Sequence, residues 1–182
     1  MLMSKEYHIR ELIMRLARLD VSESWAEDLN PAQRAVLEYL SRANKFSRSP
    51  SHVAAFLGTT RGTISQTFKA LLQKNYVTEK RSQSDKRVIS FDLTQKGRAL
   101  LARPRLLISG LESLDSSEQN ALLSTLQSTL NSLLEQNKGQ PFGLCKECRH
   151  FTSSNGGGYC NLLSEKLAPP ETEQICHEQD PL

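Results

Sequence analysis

The only four cysteines of the chain fall in its last 38 residues, with the spacing Cys145-x2-Cys148-x11-Cys160-x15-Cys176. A close pair followed by two spaced cysteines lets a short segment wrap one tetrathiolate centre, because the pair supplies one edge and the intervening loops fold back over it. So short a segment has little hydrophobic core, and metal coordination would supply the missing stability. The pattern predicts a metal-binding module over residues 142–182, with these four cysteines as the ligands.

Zinc and iron–sulfur clusters both accept four thiolates, so the ligand type leaves both open. Structural zinc sites usually show two Cys-x2-Cys pairs, and this chain has one. The spacing also looks similar to that of the small iron–sulfur subunits of some glycyl-radical enzymes, which implies a 4Fe–4S cluster. We favour that cluster, with zinc as the alternative. His150 and His177 adjoin this motif as alternative ligands, although such histidines more often only neighbour the ligands.

Basic residues are concentrated in the middle of the chain. Between Arg42 and Arg105 there are fourteen lysines or arginines and three acids, although the whole 182-residue chain has a net charge of only +3. A local basic field of this size predicts a polyanionic partner. We find no apolar stretch of membrane-spanning length and no signal-peptide pattern, and clustered thiols are typical of a reducing compartment. We therefore expect a cytoplasmic protein with no membrane partner.

Helix start and stop signals organise the segment before the cysteines. An apolar stripe from Ser4 to Asp20 predicts a first helix, and Asn30-Pro31 caps a second. Ser49-Pro50 opens a short helix that stops at Gly58, and another begins at Thr60. Two short helices joined by a tight turn form a helix-turn-helix. The apolar side of the last helix consists of Ile64, Phe68, Leu71 and Leu72, so its polar residues project outwards.

A charged β-hairpin and further helices are predicted to follow. Two β-rich runs, around Val77 and from Val88 to Leu93, bracket a polar loop. Thr94 caps a helix that Pro104 should kink or interrupt, and a last helix is capped at Asp115 or Ser116. We therefore predict a mainly α fold with a small β-hairpin wing, namely a winged helix-turn-helix domain over residues 1–138 with its core at about 30–102. The sequence Lys138-Gly139-Gln140-Pro141 marks the boundary with the four-cysteine tail.

These elements resemble the MarR family of winged-helix transcriptional regulators. The stretches that carry the resemblance are LNPAQRAVLEYL, SHVAAFLGTTRGTISQTFKALLQKNYV and SDKRVISFDLTQKGRALL, with an Asp-x-Arg at Asp85 and Arg87. Asn75 stands where the family usually has glycine, and the four-cysteine tail lies outside the family's usual domain. The resemblance implies a homodimer built by the two chain ends and bound to double-stranded DNA. It also allows a small-molecule effector between the dimer helices and the DNA-binding lobe.

The helix that begins at Thr60 can lie in a major groove, while the hairpin reaches the backbone or a flanking minor groove. Arg61 could pair with guanine and Gln66 with adenine, or either could contact only phosphate. The resemblance implies that Arg87 enters the minor groove, oriented by Asp85; a surface ion pair is the simpler reading. The predicted DNA contacts are Thr60, Arg61, Thr63, Ser65, Gln66, Lys69, Lys80, Arg81, Lys86 and Arg87.

A leucine ridge on the last helix predicts the dimer contact. Its members are Leu122, Leu123, Leu126, Leu130, Leu133 and Leu134. Together with the stripe on the first helix they expose more apolar surface than one small winged helix can cover, although packing within one chain is the alternative. A dimer doubles the DNA contact across a palindromic operator, and we expect half-sites about one helical turn apart.

The sequence thus predicts a homodimeric, sequence-specific regulator whose four-cysteine centre senses redox state, oxygen or iron. Loss of the centre would unfold the tail and change the spacing of the two recognition helices. Three alternatives stay open: a structural zinc site in a regulator with a small-molecule effector, a metal-free thiol switch, and an electron-transfer or enzyme subunit. No Ser-His-Asp arrangement, Walker loop or catalytic carboxylate pair stands out, so we predict no enzymatic activity.

Overall fold

The computed structural model describes residues 4–22, 28–81, 89–103, 105–137 and 139–181. Within these ranges, the part before the cysteines is helical with one antiparallel pair of strands, in which Val77 lies opposite Leu93. Its elements are α1 Lys5–Ser22, α2 Pro31–Arg42, α3 Pro50–Phe56, α4 Arg61–Gln73, β1 Val77–Arg81, β2 Ile89–Leu93, α5 Gln95–Leu101, α6 Leu106–Glu112 and α7 Ser116–Gln136. This is the predicted mainly α arrangement with a small β wing.

The residues predicted as N-caps lie at the starts of α2 and α7. Asn30 Oδ1 accepts a hydrogen bond from the backbone N–H of Gln33 at 2.8 Å, and Asp115 Oδ1 accepts one from Glu118 at 2.9 Å. Each cap satisfies a backbone donor that the first turn of a helix leaves without a partner. After α4 the chain turns through Asn75, whose φ is 59°, so asparagine takes the left-handed position usually given to glycine.

One hydrophobic core joins the helix-turn-helix to the wing. Ile64, Phe68 and Leu71 of α4 are buried, as their spacing predicted. The Phe68 ring stacks on Phe91 of β2 with ring centroids 3.8 Å apart. Aromatic stacking of this kind holds α4 against the wing, so the polar side of α4 faces outwards.

The two long helices at the ends of this part lie outside the core. No residue of α1 or α7 is buried, and large apolar side chains cover both helices. Arg105 ties this region to the core, because its guanidinium donates to Asp20 Oδ1 at 2.9 Å and to Glu38 Oε1 at 2.7 Å. Within the described residues, no helix is both long and apolar enough to cross a membrane.

The tail is built largely from short strands, which the sequence did not predict. Its elements are β3 Gly143–Leu144, a 3-10 helix Cys145–Glu147, β4 Phe151–Ser154, β5 Gly157–Cys160, β6 Glu165–Leu167, α8 Pro169–Thr172 and β7 Ile175–Cys176. β4, β5 and β6 form an antiparallel sheet, and β3 pairs antiparallel with β7. Gly157, with a φ of 143°, lies so close to β6 that a Cβ there would be 2.1 Å from Leu167 O. The tail therefore folds as two small antiparallel sheets, and β3 with β7 brings its two ends together.

The tail packs on the winged-helix part. Ile175 is 8% exposed and belongs to the main core, and it bridges in parallel to Ala43 just after α2. The Phe142 ring meets Phe56 edge-on at a centroid distance of 5.3 Å and Tyr39 at 6.3 Å. The end of the chain thus contributes to the core that supports the helix-turn-helix.

Candidate nucleic-acid interface and four-cysteine centre

All six predicted contact residues of the helix-turn-helix are solvent-exposed: Thr60, Arg61, Thr63, Ser65, Gln66 and Lys69. Thr60 caps α4, and its Oγ1 lies 2.9 Å from Thr63 Oγ1. The Ser65 hydroxyl donates to Arg61 O at 2.8 Å. These hydroxyls are thus held by local hydrogen bonds. The longer side chains of Arg61, Gln66 and Lys69 are exposed to solvent.

The N-terminal ends of α3 and α4 face each other across an open groove. Ser49, Ser51 and His52 line one side, and Arg61 and Ser65 line the other. Backbone N–H groups at helix N-termini and short hydroxyl side chains suit phosphate oxygens, and Arg61 adds a positive charge. The groove thus extends the polar surface of α4 towards α3.

The wing carries part of the predicted contact set. Lys80 forms an ion pair with Asp92, and Arg81 Nε lies 2.7 Å from Glu79 Oε1. Both cations remain more than half exposed, so these pairs contribute little energy and can rearrange towards a phosphate. Asp85, Lys86 and Arg87 lie outside the described residues.

The four cysteines are free thiols that line one cavity. This cavity is small, with a volume of about 20 Å³, and its wall is completed by His150, Phe151, Leu162, Leu167 and Glu178. The structure thus brings together the four predicted ligands, although 31 positions separate the first from the last. His150 shares their cavity, whereas the ring of His177 stacks on His52 at a centroid distance of 3.5 Å.

Two N–H groups point at the sulfurs. Asn44 Nδ2 donates to Cys145 Sγ at 3.5 Å, and the backbone N–H of Asp180 donates to Cys148 Sγ at 3.4 Å. Such bonds favour the thiolate over the thiol and hold the ligands of thiolate-bound metals in place. Four cysteines around one cavity, with these donors, have the ligand chemistry that a thiolate-bound metal or cluster needs. Within the described residues, however, no three His, Cys, Asp or Glu side chains are grouped to hold a single metal ion.

Cys145 and Cys176 share a proton. A hydrogen bond from the Cys145 thiol lowers the pKa of Cys176 to about 6, and the same bond, together with burial, raises the pKa of Cys145. The hydrogen bond thus favours the thiolate form of Cys176 over that of Cys145. The thiolate is the reactive and metal-binding form of cysteine.

We expect the metal-free, reduced tail to become more stable as the pH rises from about 6 towards 9. A thiol with a lowered pKa stabilises the fold above its ordinary value of 9.0, and this gain is lost as the pH falls through about 6. The free energy of unfolding should rise by roughly 1 kcal/mol per pH unit in this window. Above about pH 9 the stability should fall again, because Cys145, whose pKa is raised, ionises only in the unfolded chain. Urea denaturation followed by NMR signals of the tail measures the profile, and a Cys176→Ser variant with the same slope would contradict it.

Sequence reasoning missed the residues that join the tail to the helix-turn-helix. Asn44 is 3% exposed and Ser47 is fully buried, and both lie between α2 and α3. A buried amide and a buried hydroxyl in a connecting segment require polar partners. Nothing in the neighbouring sequence, such as the polar Lys45, indicated that the polar partners of Asn44 and Ser47 would come from the tail.

Residues 27–88 match the model of the MarR family, a span that contains the helix-turn-helix and β1. Among curated proteins, none matches the chain. The matched span covers about one third of the chain, and the residues before the tail have a winged-helix fold. The four-cysteine tail lies outside the matched span.

Solved structures share the fold. The transcriptional repressor CouR, bound to a 23-mer DNA duplex, is 28% identical with a TM-score of 0.58, over 70% of this chain and 92% of its own. A MarR transcriptional regulator from Methanosarcina mazei is 20% identical, with a TM-score of 0.58, over 70% of this chain and 97% of its own. S. aureus MepR in a DNA complex is 19% identical, with a TM-score of 0.56, over 72% of this chain and 99% of its own.

Proposed function

We propose that the protein is a homodimeric, sequence-specific DNA-binding transcriptional regulator of the MarR family. The observation that carries this proposal is the exposed polar side of α4, which Phe68, stacked on Phe91, holds beside the wing, whose strand β1 bears Lys80 and Arg81. CouR, with the same fold, is described in complex with duplex DNA. The proposed partner is double-stranded DNA with a palindromic operator, and the proposed location of the protein is the cytoplasm.

Dimerisation belongs to this proposal, because the apolar sides of α1 and α7 have no cover within the described chain. Ile9, Leu12, Leu126 and Leu130 are each about half exposed, at 53%, 51%, 43% and 54%. A continuous apolar surface of this kind usually marks an interface. A second copy would bury these helices and place two recognition helices on one duplex.

We expect Lys69 and Gln66 to make different kinds of contact. Lys69→Ala should weaken binding to all duplexes alike and lower the slope of log K against log salt by about one for each copy. Gln66→Ala should cost about 1–3 kcal/mol on the selected operator but little on random duplex, because an amide pairs with a base edge. Fluorescence anisotropy at several salt concentrations separates the two effects. Gln73→Ala, an exposed change at the far end of α4, is the control, and an equal loss for all three variants would refute the division.

The four-cysteine centre completes the proposal as a sensor of redox state, oxygen or iron. Exposure to oxygen or shortage of iron would remove or alter a 4Fe–4S cluster. The proposed ligands of this cluster are Cys145, Cys148, Cys160 and Cys176. This is supported by their common apolar cavity and by the N–H donors at Cys145 and Cys148. Zn²⁺ in the same place would be structural, with regulation left to a small-molecule effector between the dimer helices and the DNA-binding lobe.

A metal-free thiol switch is the second candidate. The contact between Cys145 and Cys176, with its lowered pKa at Cys176, favours this pair for oxidation to a disulfide by a peroxide. Mild peroxide would then remove two free thiols from protein that contains no metal. Coloured protein with stoichiometric iron and sulfide would exclude this candidate.

Anaerobic purification with metal analysis and a visible spectrum, followed by selection from a library of random duplexes, tests the proposal. We expect brown protein with iron and sulfide and a selected palindrome. Colourless protein with one zinc would overturn the cluster, and failure to enrich any duplex would overturn the regulator. The two parts of the proposal are thus tested separately.

A further inference from the structure

The tail packs directly on residues 43–47, the first part of the segment between α2 and α3, which we call the α2–α3 loop. The backbone N–H of Asn44 donates to Ile175 O at 2.9 Å, next to the bridge between Ala43 and Ile175. Ile175 is buried in the main core and is followed at once by Cys176. Cys176 of the four-cysteine centre therefore directly follows, in sequence, a residue of the core that supports the helix-turn-helix.

Asn44 connects the loop to the centre through its side chain. Its Oδ1 accepts from the Ser47 hydroxyl at 2.6 Å and from the backbone N–H of Phe46 at 3.1 Å. Its Nδ2 donates to Cys145 Sγ at 3.5 Å. One buried amide thus holds the shape of the α2–α3 loop with one end and contacts a cysteine sulfur with the other.

His177 connects the centre to α3 by a second route. Its backbone N–H donates to Ser47 Oγ at 2.9 Å, and its ring stacks on His52 of α3 at a centroid distance of 3.5 Å and an angle of 21°. His52 lines the groove that α3 forms with Arg61 and Ser65 of α4. The contacts therefore run without a gap from Cys176 to the predicted DNA surface.

We propose that Asn44 and His177 are positioning residues that couple the state of the four-cysteine centre to DNA affinity through α3 of the same chain. This inference rests on the proposed function and deepens it. This coupling through α3 differs from the mechanism expected from the sequence, in which unfolding of the tail acts through α7 and changes the distance between the two recognition helices. It predicts that the α2–α3 loop and α3, rather than α7, respond first.

The geometry of the Asn44 side chain explains the coupling. Its Nδ2 donates to Cys145 Sγ at 3.5 Å. Binding of that sulfur in a metal or cluster would change its position and the direction of its free lone pairs, and so would change the bond from Asn44. Because Asn44 also holds Ser47 and Phe46, a shift of its amide moves the loop and the His177–His52 stack with it. Packed elements transmit such small shifts because they move between discrete arrangements.

The test compares loaded and metal-free protein on the duplex selected from the random library. Loading uses iron and sulfide in one arm and Zn²⁺ alone in the other, and anisotropy gives the affinity ratio of the two states. For the wild type we expect a ratio of about 5–150, the usual range of such couplings. In Asn44→Ala and in His177→Ala the ratio should fall close to one. His177→Ala should keep its metal content and visible spectrum, because all four cysteines and both N–H donors to their sulfurs remain. Asn44→Ala loses one of these donors, so its ratio is measured on protein loaded to the same metal content as the wild type.

Glu165→Gln is the matched control. It removes the exposed ion pair with Lys45, 3.3 Å long, which also links the tail to the α2–α3 loop but touches neither proposed residue. Such a pair contributes little, so the ratio should remain that of the wild type. Should Asn44→Ala fail to fold, His177→Ala carries the test alone, because the bonds from Ser47 and Phe46 to Asn44 Oδ1 remain and the loop loses only the 3.2 Å contact between His177 Nδ1 and Ser47 Oγ.

Hydrogen exchange without DNA makes the inference independent of operator binding. Loading should change the protection of residues 43–56 in the wild type and not in the two variants. Full coupling in both variants, or a response confined to α7, would overturn the inference and leave the proposed function standing. A wild-type ratio of one with unchanged exchange would also overturn it, whereas absence of any duplex binding would sink the proposed function itself.

Discussion

Replacing Leu126 and Leu130 together with glutamate is expected to give a monomer whose affinity for the selected duplex is at least about 100-fold lower. Both leucines stand half exposed on α7 in the single chain, and in the proposed dimer they would be covered by the partner. Buried carboxylates without partners are costly, so the interface should not form. A monomer keeps one recognition helix and loses the contacts of a whole half-site. Light scattering after gel filtration gives the mass, and anisotropy gives the affinity.

The matched control places the same charges on the opposite side of the same helix. Ser124→Glu with Ser128→Glu adds two carboxylates about half a turn away from Leu126, at positions that are also exposed. This variant should remain dimeric and bind DNA with an affinity close to that of the wild type. If the leucine variant stayed dimeric, or both variants dissociated alike, the interface would have to lie elsewhere.

Changing Cys148 or Cys160 to serine is expected to lower the bound iron at least tenfold, on the order of the losses seen when a metal site is damaged. Each substitution removes one of four thiolates from the shared cavity. The core around Tyr39, Phe68 and Leu71 should persist, because neither cysteine belongs to it. Anaerobic iron and sulfide analysis with the visible spectrum measures the loss.

Ser153→Ala, an exposed change in β4 of the same tail, is the control and should leave the iron content unchanged. Retention of full iron and colour by both serine variants would contradict the assignment of these cysteines as ligands. Loss of colour in one variant alone would place the other cysteine outside the ligand set. The comparison therefore tests the ligands one at a time.

The sequence predicted much of the winged helix because its signals are local. Asn30, Thr60 and Asp115 each cap a helix where their types and the following apolar periodicity indicated, and Asn75 takes the left-handed turn expected of it. Caps and turns depend on a few neighbouring residues, so a single sequence carries them. The exposure of the α4 contact residues followed from the same periodicity.

The tail's structure could not be read in this way. Its strands are two to four residues long, too short for an alternating pattern, and their pairing depends on distant segments. The contact between Asn44 and Cys145 joins positions 101 residues apart. The spacing of the cysteines indicated a shared centre but held no information about the surface on which it would dock. That surface, the α2–α3 loop, became visible only when the fold placed Ile175 in the core.

A salt titration of duplex binding tests the central claim most directly, because a surface shaped to hold DNA must neutralise phosphates. We predict that the dimer binds the selected duplex tightly at low salt and loses roughly 10³-fold or more in affinity between about 50 and 200 mM salt. Protein that ignores duplex DNA at low ionic strength, or whose binding does not change with salt, would contradict the account.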